Sequence, residues 1–258
     1  MNTNTSQEMP VRLSELLSRR FERIVVLSGA GMSADSGIPT FRSGSNGLWH
    51  EFNPSDLATP EAWEDDKALV WGWYEWRRGL VMAARPNPGH VAIGELQRLH
   101  GTSVITQNVD DLHERGGATG VLHLHGSLFA ARCDTCGAPH VLGDPPSEIQ
   151  RQVMPPRCPY CDGYIRPGVV WFGEDLDPEV LDNARERIAA CDLLLIVGTS
   201  SVVYPAAGLS GYAPNGATII EINPQPGPSL TDYQWQTTAA IGLPLLLDAL
   251  NHDQGGEK

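Results

Sequence analysis

The chain has few basic residues and no long apolar run. Lys and Arg number 18 against 31 Asp and Glu, which leaves a formal net charge of −13 in 258 residues. Nucleic acids and anionic membranes both attract basic surfaces, so this acidic balance argues against direct binding to either. Uninterrupted apolar runs are short, such as Leu193–Val197, and a membrane span needs about 18 such residues.

The start of the chain has no export signal. MNTNTSQEMP contains neither the basic segment nor the apolar segment of a signal peptide. The cysteines number five, and four of them cluster between residues 133 and 161. In a chain without an export signal, this pattern favours a metal site over disulfides. We therefore predict a cytoplasmic protein with a bound metal.

Short apolar runs rich in β-branched residues alternate with segments of helical periodicity. The predicted strands are 24–28, 103–106, 121–124, 169–172, 193–197 and 218–222. The predicted helices are 11–20, 61–82, 90–100, 178–190 and 244–250. Several strands are apolar on both faces, as buried parallel strands are. The alternation predicts an α/β fold with a doubly wound parallel sheet.

Two stretches interrupt this alternation, and we predict that they form a smaller lobe beside the sheet. Residues 132–166 are rich in Pro, Gly and Cys. Residues 40–76 hold five of the seven tryptophans, namely Trp49, Trp63, Trp71, Trp73 and Trp76. A cleft between the two lobes is then the expected ligand site.

The first predicted strand leads into a glycine-rich turn. Residues 29–34, GAGMSA, have the form G-x-G-x-x-A in a strand–turn–helix context, which is typical of dinucleotide binding. Such glycines let the backbone approach a pyrophosphate, and the helix N-terminus offers free N–H groups. The acidic residue expected about 20 positions further on is missing. The pattern is therefore compatible with a dinucleotide held in a nonstandard way, or with a plain tight turn.

Four of the cysteines form two C-x2-C pairs. Cys133 and Cys136 are followed, after 21 intervening residues, by Cys158 and Cys161. A two-residue spacer lets one turn present both sulfurs to the same ion, and four cysteines complete a tetrahedral zinc site with no position for water. The pattern predicts a structural zinc, the alternative being four unrelated buried thiols. Cys191 is most simply a small buried hydrophobic residue.

Polar residues follow two predicted strands at their carboxyl ends, where ligands bind in open α/β sheets. Gln107, Asn108 and Asp110 follow one strand, and His123 and His125 lie at the end of another. His125 is at the strand exit, where a general base could meet a ribose hydroxyl. A histidine at a strand end is more often structural, and composition alone does not decide between the two roles.

Taken in order, these segments resemble the sirtuins, which are NAD-dependent protein-lysine deacylases. The resemblance spans about residues 24–247 and is carried by the blocks GAGMSADSGIPTFRS, TQNVDDLHERGG, HLHGS, the two Cys pairs, RPGVVWFGE, VGTSSVVYPAA and EINP. It implies a Rossmann-like large domain, about 11–43, 85–127 and 168–250. It also implies a small domain built from a helical insert, about 44–84, and a zinc ribbon, about 128–167. The tails 1–10 and 251–258 are expected to be disordered.

The resemblance also implies roles for individual residues. His125 is the catalytic base, assisted by Asn108 and Asp110. NAD contacts come from Gly29, Ala30, Gly31, Ser33, Ala34, Asp35, Ile38, Phe41, Arg42, Gln107, Asn108, Asp110, Gly198, Thr199, Ser200, Asn223, Pro224, Gln225, Ala239 and Ala240. The acyl-lysine peptide pairs as an added strand with Val169, Val170, Phe172, Gly173 and Glu174. The implied products are free lysine, nicotinamide and O-acyl-ADP-ribose, and the structural zinc takes no part in the reaction.

Tyr74 and Arg77 suggest which acyl group is removed. They are three residues apart on a predicted helix, so they project from one face and could together bind a carboxylate. Without the resemblance, the simpler interpretation is a surface Arg beside a core Tyr. The sirtuin subgroup that removes succinyl and malonyl groups carries a Tyr-x-x-Arg pair at this place, and DLATPEAW also resembles that subgroup. We therefore expect a desuccinylase or demalonylase that also removes acetyl groups.

Other functions stay open on the sequence. A plain NAD-dependent deacetylase and a mono-ADP-ribosyltransferase would use the same NAD site. A non-catalytic NAD-binding module fits less well, because His125, Asn108 and Asp110 are all present. An ordinary dehydrogenase fits least, given the missing acidic residue and the zinc insert. The expected partners are acyl-lysine proteins or peptides, with no membrane and no direct nucleic-acid binding.

Overall fold

The structure, a computed structural model, describes residues 9–40, 53–148, 150–200, 202–227 and 231–252. The helices are α1 (Val11–Leu17), α2 (Gly31–Ala34), α3 (Pro54–Leu57), α4 (Pro60–Asp65), α5 (Lys67–Ala83), α6 (Pro88–His100), α7 (Leu112–Arg115), α8 (Pro178–Ala189) and α9 (Ala239–His252), with a 3-10 helix at Ala206–Tyr212. The strands are β1 (Ile24–Ser28), β2 (Ser103–Thr106), β3 (Leu122–His123), β4 (Gly126–Cys133), β5 (Pro139–His140), β6 (Ile165–Val169), β7 (Leu193–Val197), β8 (Thr218–Ile222) and β9 (Tyr233–Trp235).

A six-stranded parallel sheet forms the centre of the fold. Its strand order is β3-β2-β1-β7-β8-β9, so the chain winds outward in one direction from β1 and then in the other from β7. Ser28 at the end of β1 is level with Thr106 of β2 and with Val197 of β7. The predicted α/β fold with a Rossmann-like doubly wound sheet is confirmed. The carboxyl ends of its central strands meet at one edge, where such sheets bind ligands.

The central strands are apolar because both of their faces are covered. Every residue of β1 and of β7 is buried. Along β1, Ile24 and Val26 belong to one hydrophobic cluster, whereas Val25 and Leu27 belong to another on the opposite face. Each fully buried aliphatic side chain of this kind stabilises the fold by about 1.5–3 kcal/mol relative to exposure. Burial on both faces therefore explains why the sequence shows continuous apolar runs here.

A second, antiparallel sheet has the order β5-β4-β6. It packs with α3 to α5 around a third hydrophobic cluster, whose members lie within residues 57–81 and 128–171. β4 begins directly after the turn that follows β3, so one short turn connects the two sheets. The division into two domains at the predicted boundaries stays a prediction.

The strand predicted at 169–172 is wrong. β6 ends at Val169 and belongs to the antiparallel sheet, and the following residues turn away from it. The apolar character of this stretch has another cause, because Val169 and Trp171 are buried in the third hydrophobic cluster. β9 and the zinc-ribbon strands were not predicted, since they are short or interrupted by Gly, Pro and Cys.

Two of the five predicted helices agree with α6 and α8 to within two residues, and the other three differ more. The helix expected over 61–82 is divided at Asp66, whose carboxylate accepts the Leu69 N–H at 2.9 Å and so begins a new helix. The helix expected over 244–250 begins earlier, at Ala239, and contains Pro244 within it. α1 ends at Leu17 rather than at residue 20.

Several predictions concern residues that lie partly or wholly outside the described ranges. Trp49, Phe41 and Arg42 lie outside the described residues, as do most of the two tails. The predicted C-terminal tail starts too early, because α9 continues to His252. Across the described ranges, we find no helix with both the length and the apolar character that crossing a membrane requires.

Candidate functional site

The carboxyl ends of β1, β2 and β7 place three polar loops side by side. The Gly29 N–H donates to the Val197 carbonyl, and the Gln107 N–H donates to the Ser28 carbonyl, each at 2.9 Å. The Gln107 side-chain amide then donates to Thr199 Oγ1 at 2.9 Å. Residues predicted at three separate places in the sequence are therefore joined at one edge of the sheet.

The glycine-rich turn is shaped by contact with another loop. The Gly31 N–H donates to the Gly198 carbonyl at 2.8 Å, and a Cβ on Gly31 would lie 2.8 Å from the Gly198 Cα. Gly198 itself has φ +58°, which favours glycine. The close backbone approach that Gly31 permits is thus to the β7 loop. The helix after this turn, α2, is only four residues long, and Ala34 at its end is exposed, as is the following Asp35.

A buried hydrogen-bond network lies beneath the turn. The Ser33 hydroxyl donates to Asp110 Oδ2 at 2.9 Å and accepts from Asn108 Nδ2 at 3.2 Å. His90 Nδ1 accepts the Asn87 backbone N–H at 3.2 Å, so its proton is on Nε2, which lies 3.4 Å from Ser33 Oγ and donates to it. Ser33 therefore connects the turn to both Asn108 and Asp110 and fixes their side chains.

Burial sets the protonation of this network. Desolvation raises the pKa of Asp110, against the opposing effect of the hydrogen bonds from Leu112 N–H and Ser33. Desolvation lowers the pKa of His90 to about 4, so its imidazole is neutral near pH 7. A neutral His90 matches the tautomer that the hydrogen bonds require.

A second buried histidine lies next to the first. His113 Nε2 is 2.8 Å from Ser28 Oγ, and that hydroxyl donates to Thr106 Oγ1, so Nε2 is the donor to Ser28. Burial lowers the pKa of His113 to about 3, and its ring centroid is 5.1 Å from that of His90. Neither histidine is among the site residues predicted from the sequence. The only available signal was their place among apolar residues of helical segments, which does not identify a partner.

His125 occupies the turn that connects the two sheets. Its Nδ1 donates to the Gln107 carbonyl at 3.0 Å, which leaves Nε2 with a lone pair. Burial lowers the pKa of His125, opposed by this hydrogen bond, so the ring is neutral near pH 7. The following Gly126 has φ +73°, and the His125 carbonyl accepts the Val170 N–H at 2.9 Å. A neutral imidazole with a fixed tautomer is what a general base requires.

His123, two residues earlier, is bound on both nitrogens. Nδ1 is 2.9 Å from the Asn108 carbonyl, and Nε2 is 2.8 Å from Glu114 Oε1. Both partners are acceptors, so these contacts favour a ring with a proton on each nitrogen. Burial alone would lower the pKa of His123, but the hydrogen bonds to Glu114 and Asn108 raise it overall. His123 therefore holds the Asn108 loop and has no nitrogen available as a base.

Several of the predicted NAD contacts lie in the loops that follow β7 and β8. Asn223 Nδ2 donates to the Thr199 carbonyl at 2.8 Å, and Gln225 N–H donates back to Asn223 Oδ1 at 3.3 Å. Ser200 is half-buried and Pro224 is exposed. Glu221, which is not among the predicted site residues, is fully buried. It accepts hydrogen bonds from Gly227 N–H at 2.9 Å and from Gln234 Nε2 at 3.1 Å.

Ala239 and Ala240 begin α9. Ala239 is 3% exposed and packs in the hydrophobic core, whereas Ala240 is half-buried. Of these two predicted NAD contacts, Ala240 is the more accessible. Ile38, another predicted NAD contact, is half-buried against the third hydrophobic cluster.

Tyr74 and Arg77 both lie on α5. Tyr74 is buried, and its hydroxyl accepts the Trp171 indole N–H at 3.0 Å. Burial raises the pKa of Tyr74 to about 12, so the phenol stays protonated. The Arg77 guanidinium is 4.8 Å from the Trp73 ring centroid and 5.8 Å from that of Tyr74. The two side chains predicted to act together therefore do lie together.

Some backbone N–H groups of the predicted peptide-binding segment, 169–174, already form hydrogen bonds within the protein. The Val170 N–H donates to His125 and the Phe172 N–H donates to Ala58, both at 2.9 Å. Glu174 forms a bidentate ion pair with Arg166, at 2.5 and 3.0 Å, and also accepts the Trp171 N–H. The Phe172 side chain is 44% exposed. A peptide could therefore pair with fewer backbone groups here than a regular edge strand would offer.

The four paired cysteines come together as predicted. Their sulfur atoms all lie within 4.8 Å of one another, with Cys133 to Cys161 at 3.5 Å and Cys136 to Cys158 at 3.7 Å. A tetrahedral zinc with Zn–S bonds of about 2.3 Å places its sulfurs about 3.8 Å apart. Backbone N–H groups at Thr135 and Cys136 point at the Cys133 sulfur. The tetrad could hold a zinc ion, and the alternative of four unrelated thiols is excluded.

The tetrad is far from His125. Cys133 ends β4, and His125 immediately precedes its first residue, Gly126. β4 is irregular between Gly126 and Ala131 and regularly paired with β6 from Ala131 to Cys133, and the tetrad and His125 lie at its opposite ends. This separation keeps a metal in the tetrad away from the histidine.

Comparison with known proteins agrees with this geometry. The profile of the Sir2 family matches residues 29–205. A Pseudomonas aeruginosa protein named NAD-dependent protein deacylase 1 is 56% identical over 209 residues, covering 79% of this chain and 84% of the relative. A Mycobacterium leprae protein named NAD-dependent protein deacylase is 49% identical over 233 residues, covering 88% of this chain and 98% of the relative.

Solved structures give the same result. One described as a Sir2 homolog–NAD complex superposes with a TM-score of 0.85 at 42% identity, covering 96% of this chain and 95% of the other. The match therefore includes both sheets and the loops at the strand ends. With the glycine turn, the His125 environment and the cysteine tetrad in place, the chain belongs to the Sir2 family.

Proposed function

We propose that this protein is an NAD-dependent protein-lysine deacylase. The observation that carries the proposal is the state of His125, a neutral imidazole whose Nδ1 is fixed by the Gln107 carbonyl and whose Nε2 keeps its lone pair. It lies beside the polar loops at the strand ends. The names of the relatives and the NAD complex of a similar structure support NAD as the co-substrate.

The residues at the strand ends fit a dinucleotide. Side-chain amides at Gln107 and Asn108 and the Thr199 hydroxyl offer polar contacts, and the glycine turn has no side chain to block an approach. The Gly29 and Gly31 amides are used within the protein, which leaves Ala30 as the residue of the turn for a pyrophosphate. When bound, NAD supplies the ribose carbon that takes the acyl oxygen as nicotinamide leaves.

His125 moves the proton in this proposal. Nε2 accepts a proton from a ribose hydroxyl, and the Nδ1–H bond to the Gln107 carbonyl stabilises the imidazolium that forms. Asn108 and Asp110 hold the ribose and carboxamide sides, and Ser33 keeps both of their side chains oriented. The remaining NAD contacts are those predicted for the turn, for the loops after β7 and β8, and for the start of α9.

We further propose that acidic acyl groups, succinyl or malonyl, are preferred. Arg78, the neighbour of Arg77, is paired with Glu75 at 2.6 Å within α5. The Arg77 guanidinium lies on the same helix, 4.8 Å from the Trp73 ring centroid and 5.8 Å from that of Tyr74, whose phenol is protonated. A guanidinium and a phenol O–H together offer the donors that a carboxylate needs.

The substrates proposed are acylated proteins or peptides. Exposed Phe172 and the backbone of Gly173 would contact the peptide, and Val169, Val170 and Glu174 support that segment from within. Zinc held by the cysteine tetrad would stabilise the antiparallel sheet and take no part in proton transfer.

The proposal is tested by mass spectrometry of the products. Acetyl-lysine and succinyl-lysine peptides of identical sequence are incubated with and without NAD. NAD-dependent loss of succinyl, with O-succinyl-ADP-ribose appearing, is the expected result. Preference for the acetyl peptide would indicate a plain deacetylase. Radiolabelled NAD becoming protein-bound without deacylated peptide would indicate mono-ADP-ribosyl transfer, and no reaction would indicate a non-catalytic NAD-binding module.

A further inference from the structure

Trp171 connects the predicted peptide-binding segment to Tyr74. The two residues are 2% and 4% exposed, and the indole N–H lies 3.0 Å from the Tyr74 oxygen. An indole N–H can only donate, so the direction of this hydrogen bond is certain and the phenol oxygen is the acceptor. The phenol has one proton of its own. No acceptor for that proton is found among the residues that the structure describes.

We infer that Trp171 is a positioning residue for acyl selectivity, because it occupies one lone pair of the Tyr74 hydroxyl and thereby directs the phenol proton toward an acidic acyl chain. This inference rests on the proposed preference for succinyl or malonyl groups. It adds to Tyr74 and Arg77 a third residue, which touches the acyl group only through Tyr74.

The physical effect has two parts. A hydroxyl that accepts a hydrogen bond becomes a better donor, by roughly 10–30% per bond in such chains. The accepted bond also removes rotational freedom from the hydroxyl, so that less order has to be created when the carboxylate arrives. Tyr74 remains a donor throughout the neutral range, because burial raises its pKa to about 12. An acetyl group has no carboxylate, so neither the stronger donor nor the pre-ordered hydroxyl strengthens its binding.

The indole ring itself is held firmly. The Arg166 guanidinium lies 3.4 Å from the centroid of the Trp171 ring, and the Trp63 ring is 5.7 Å away. The Trp171 backbone N–H donates to Glu174, whose carboxylate also pairs with Arg166. The indole is therefore fixed before any substrate binds, as a positioning role requires.

The test compares two Trp to Phe variants. Trp171→Phe keeps an aromatic ring but removes the N–H that reaches Tyr74. Trp63→Phe is the matched control, since Trp63 is buried in the same cluster but donates its indole N–H to Asp134 at 3.1 Å. For each protein, kcat/KM is measured on succinyl-lysine and acetyl-lysine peptides of the same sequence, and the ratio of the two values is compared.

We expect Trp171→Phe to lower the succinyl-to-acetyl ratio about tenfold, the size of one weakened hydrogen bond to a charged group. Trp63→Phe should leave the ratio unchanged. In a Tyr74→Phe background, Trp171→Phe should change the ratio no further, because the group that it orients is gone. Equal loss on both peptides would overturn the inference and would make Trp171 a packing residue.

Two further measurements keep the outcome clear. If Trp171→Phe does not fold, β-(3-benzothienyl)alanine at position 171 keeps the ring shape and lacks the N–H. The ¹⁵N indole resonance of Trp171 should shift in Tyr74→Phe whether or not the protein is active. A native protein that does not favour the succinyl peptide would remove the proposed preference and this role together. A native preference that Trp171→Phe leaves intact would overturn the role of Trp171 alone.

Discussion

Two histidines separated by one residue have opposite environments. His123 has an acceptor on each ring nitrogen, and the hydrogen bonds to Glu114 and Asn108 raise its pKa. His125 has only the Gln107 carbonyl on Nδ1, and burial lowers its pKa. The partners that surround each ring therefore distinguish a positioning histidine with both nitrogens engaged from a neutral candidate base.

His125→Tyr should abolish NAD-dependent deacylation of every acyl group, because no other nitrogen replaces Nε2. Zinc content should be unchanged, since the cysteine tetrad lies at the other end of β4 from His125. Peptide mass spectrometry and metal analysis check both points. Retained turnover at more than about 1% of the native rate would disprove the base assignment.

Arg77→Met should lower kcat/KM on succinyl-lysine by about 30-fold or more, the loss expected of a charged hydrogen bond, while activity on acetyl-lysine persists. Arg98→Met is a suitable control, because Arg98 pairs with Glu95 on an exposed surface of α6. Parallel losses on both peptides would indicate that Arg77 has a structural role and no part in binding a carboxylate.

At the scale of elements, the contact between the glycine turn and the β7 loop organises the site. Gly31 and Gly198 pack backbone against backbone, and the positive φ of Gly198 aims the chain toward Thr199 and the end of β2. α2 is only four residues long, so it has little helical structure of its own to hold the turn. The turn therefore depends on the neighbouring loop for its shape.

Gly198→Ala should destabilise the protein by about 1–3 kcal/mol, from backbone strain at positive φ, and more where the added Cβ meets the Met32 amide. It should also raise the KM for NAD. The control is Gly79→Ala, whose Cβ would meet nothing within 4 Å and which should be neutral or stabilising by up to about 1 kcal/mol. Urea unfolding gives the stability of each variant, and steady-state kinetics gives the KM for NAD. Similar stability of the two variants would show that close packing at Gly198 is not required.

The element boundaries show where sequence patterns succeed. The bounds of β1, β2, β7 and β8 are those that were predicted, because each is a short run of mainly apolar residues, nearly all of them buried. The helix break at Asp66 was missed, since the apolar periodicity continues through it and only the side-chain cap marks a new start. The strand predicted at 169–172 failed for a related reason, because burial in a loop and burial in a strand leave the same apolar residues.

At the scale of the whole molecule, the antiparallel sheet and the large sheet meet at the His125 turn. The hydrogen bond from Val170 N–H to the His125 carbonyl joins them. The cysteine tetrad closes the far end of β4 and β6. Because β4 connects the two sites, disorder in the tetrad should therefore also disturb the position of His125.

Removal of zinc with a chelator should lower Tm by about 10 °C or more, since structural zinc contributes many kcal/mol to such sites. Deacylation should fall in parallel and return when Zn²⁺ is added back. Calorimetry with and without chelator provides the measurement. An unchanged Tm after complete metal removal would show that the tetrad does not stabilise the fold.

Acid should destabilise the protein through its buried neutral histidines. His90 and His113 have pKa values of about 4 and about 3, against about 6.5 in an unfolded chain. Between pH 6.5 and 4 the unfolded state binds more protons, so stability is complete above pH 6.5 and is lost as the pH falls. Each histidine contributes a slope of up to about 1.4 kcal/mol per pH unit. His123 acts in the opposite direction, because its raised pKa adds stability at low pH.

Urea unfolding at pH 7, 6 and 5 measures this slope while most carboxylates remain ionised. His113→Gln should reduce the slope of unfolding free energy against pH by up to about 1.4 kcal/mol per pH unit, the contribution of one proton, whatever its effect on stability at pH 7. A slope that is the same in the native protein and in His113→Gln would exclude His113 as a source of the acid sensitivity.

The sequence by itself determined the family, the doubly wound sheet and the four cysteines that could hold zinc, because short spacings and buried strands leave local patterns. The roles assigned to the other site residues remain predictions. Only the tertiary structure decided which histidine keeps a lone pair, what orients Asn108 and Asp110, and that Trp171 donates to Tyr74. These properties depend on partners that are far apart in the chain. Ser28 and His113 are separated by 85 residues in the sequence, and Trp171 and Tyr74 by 97. Proton positions follow from the contacts of each ring, and no local pattern records contacts at that separation.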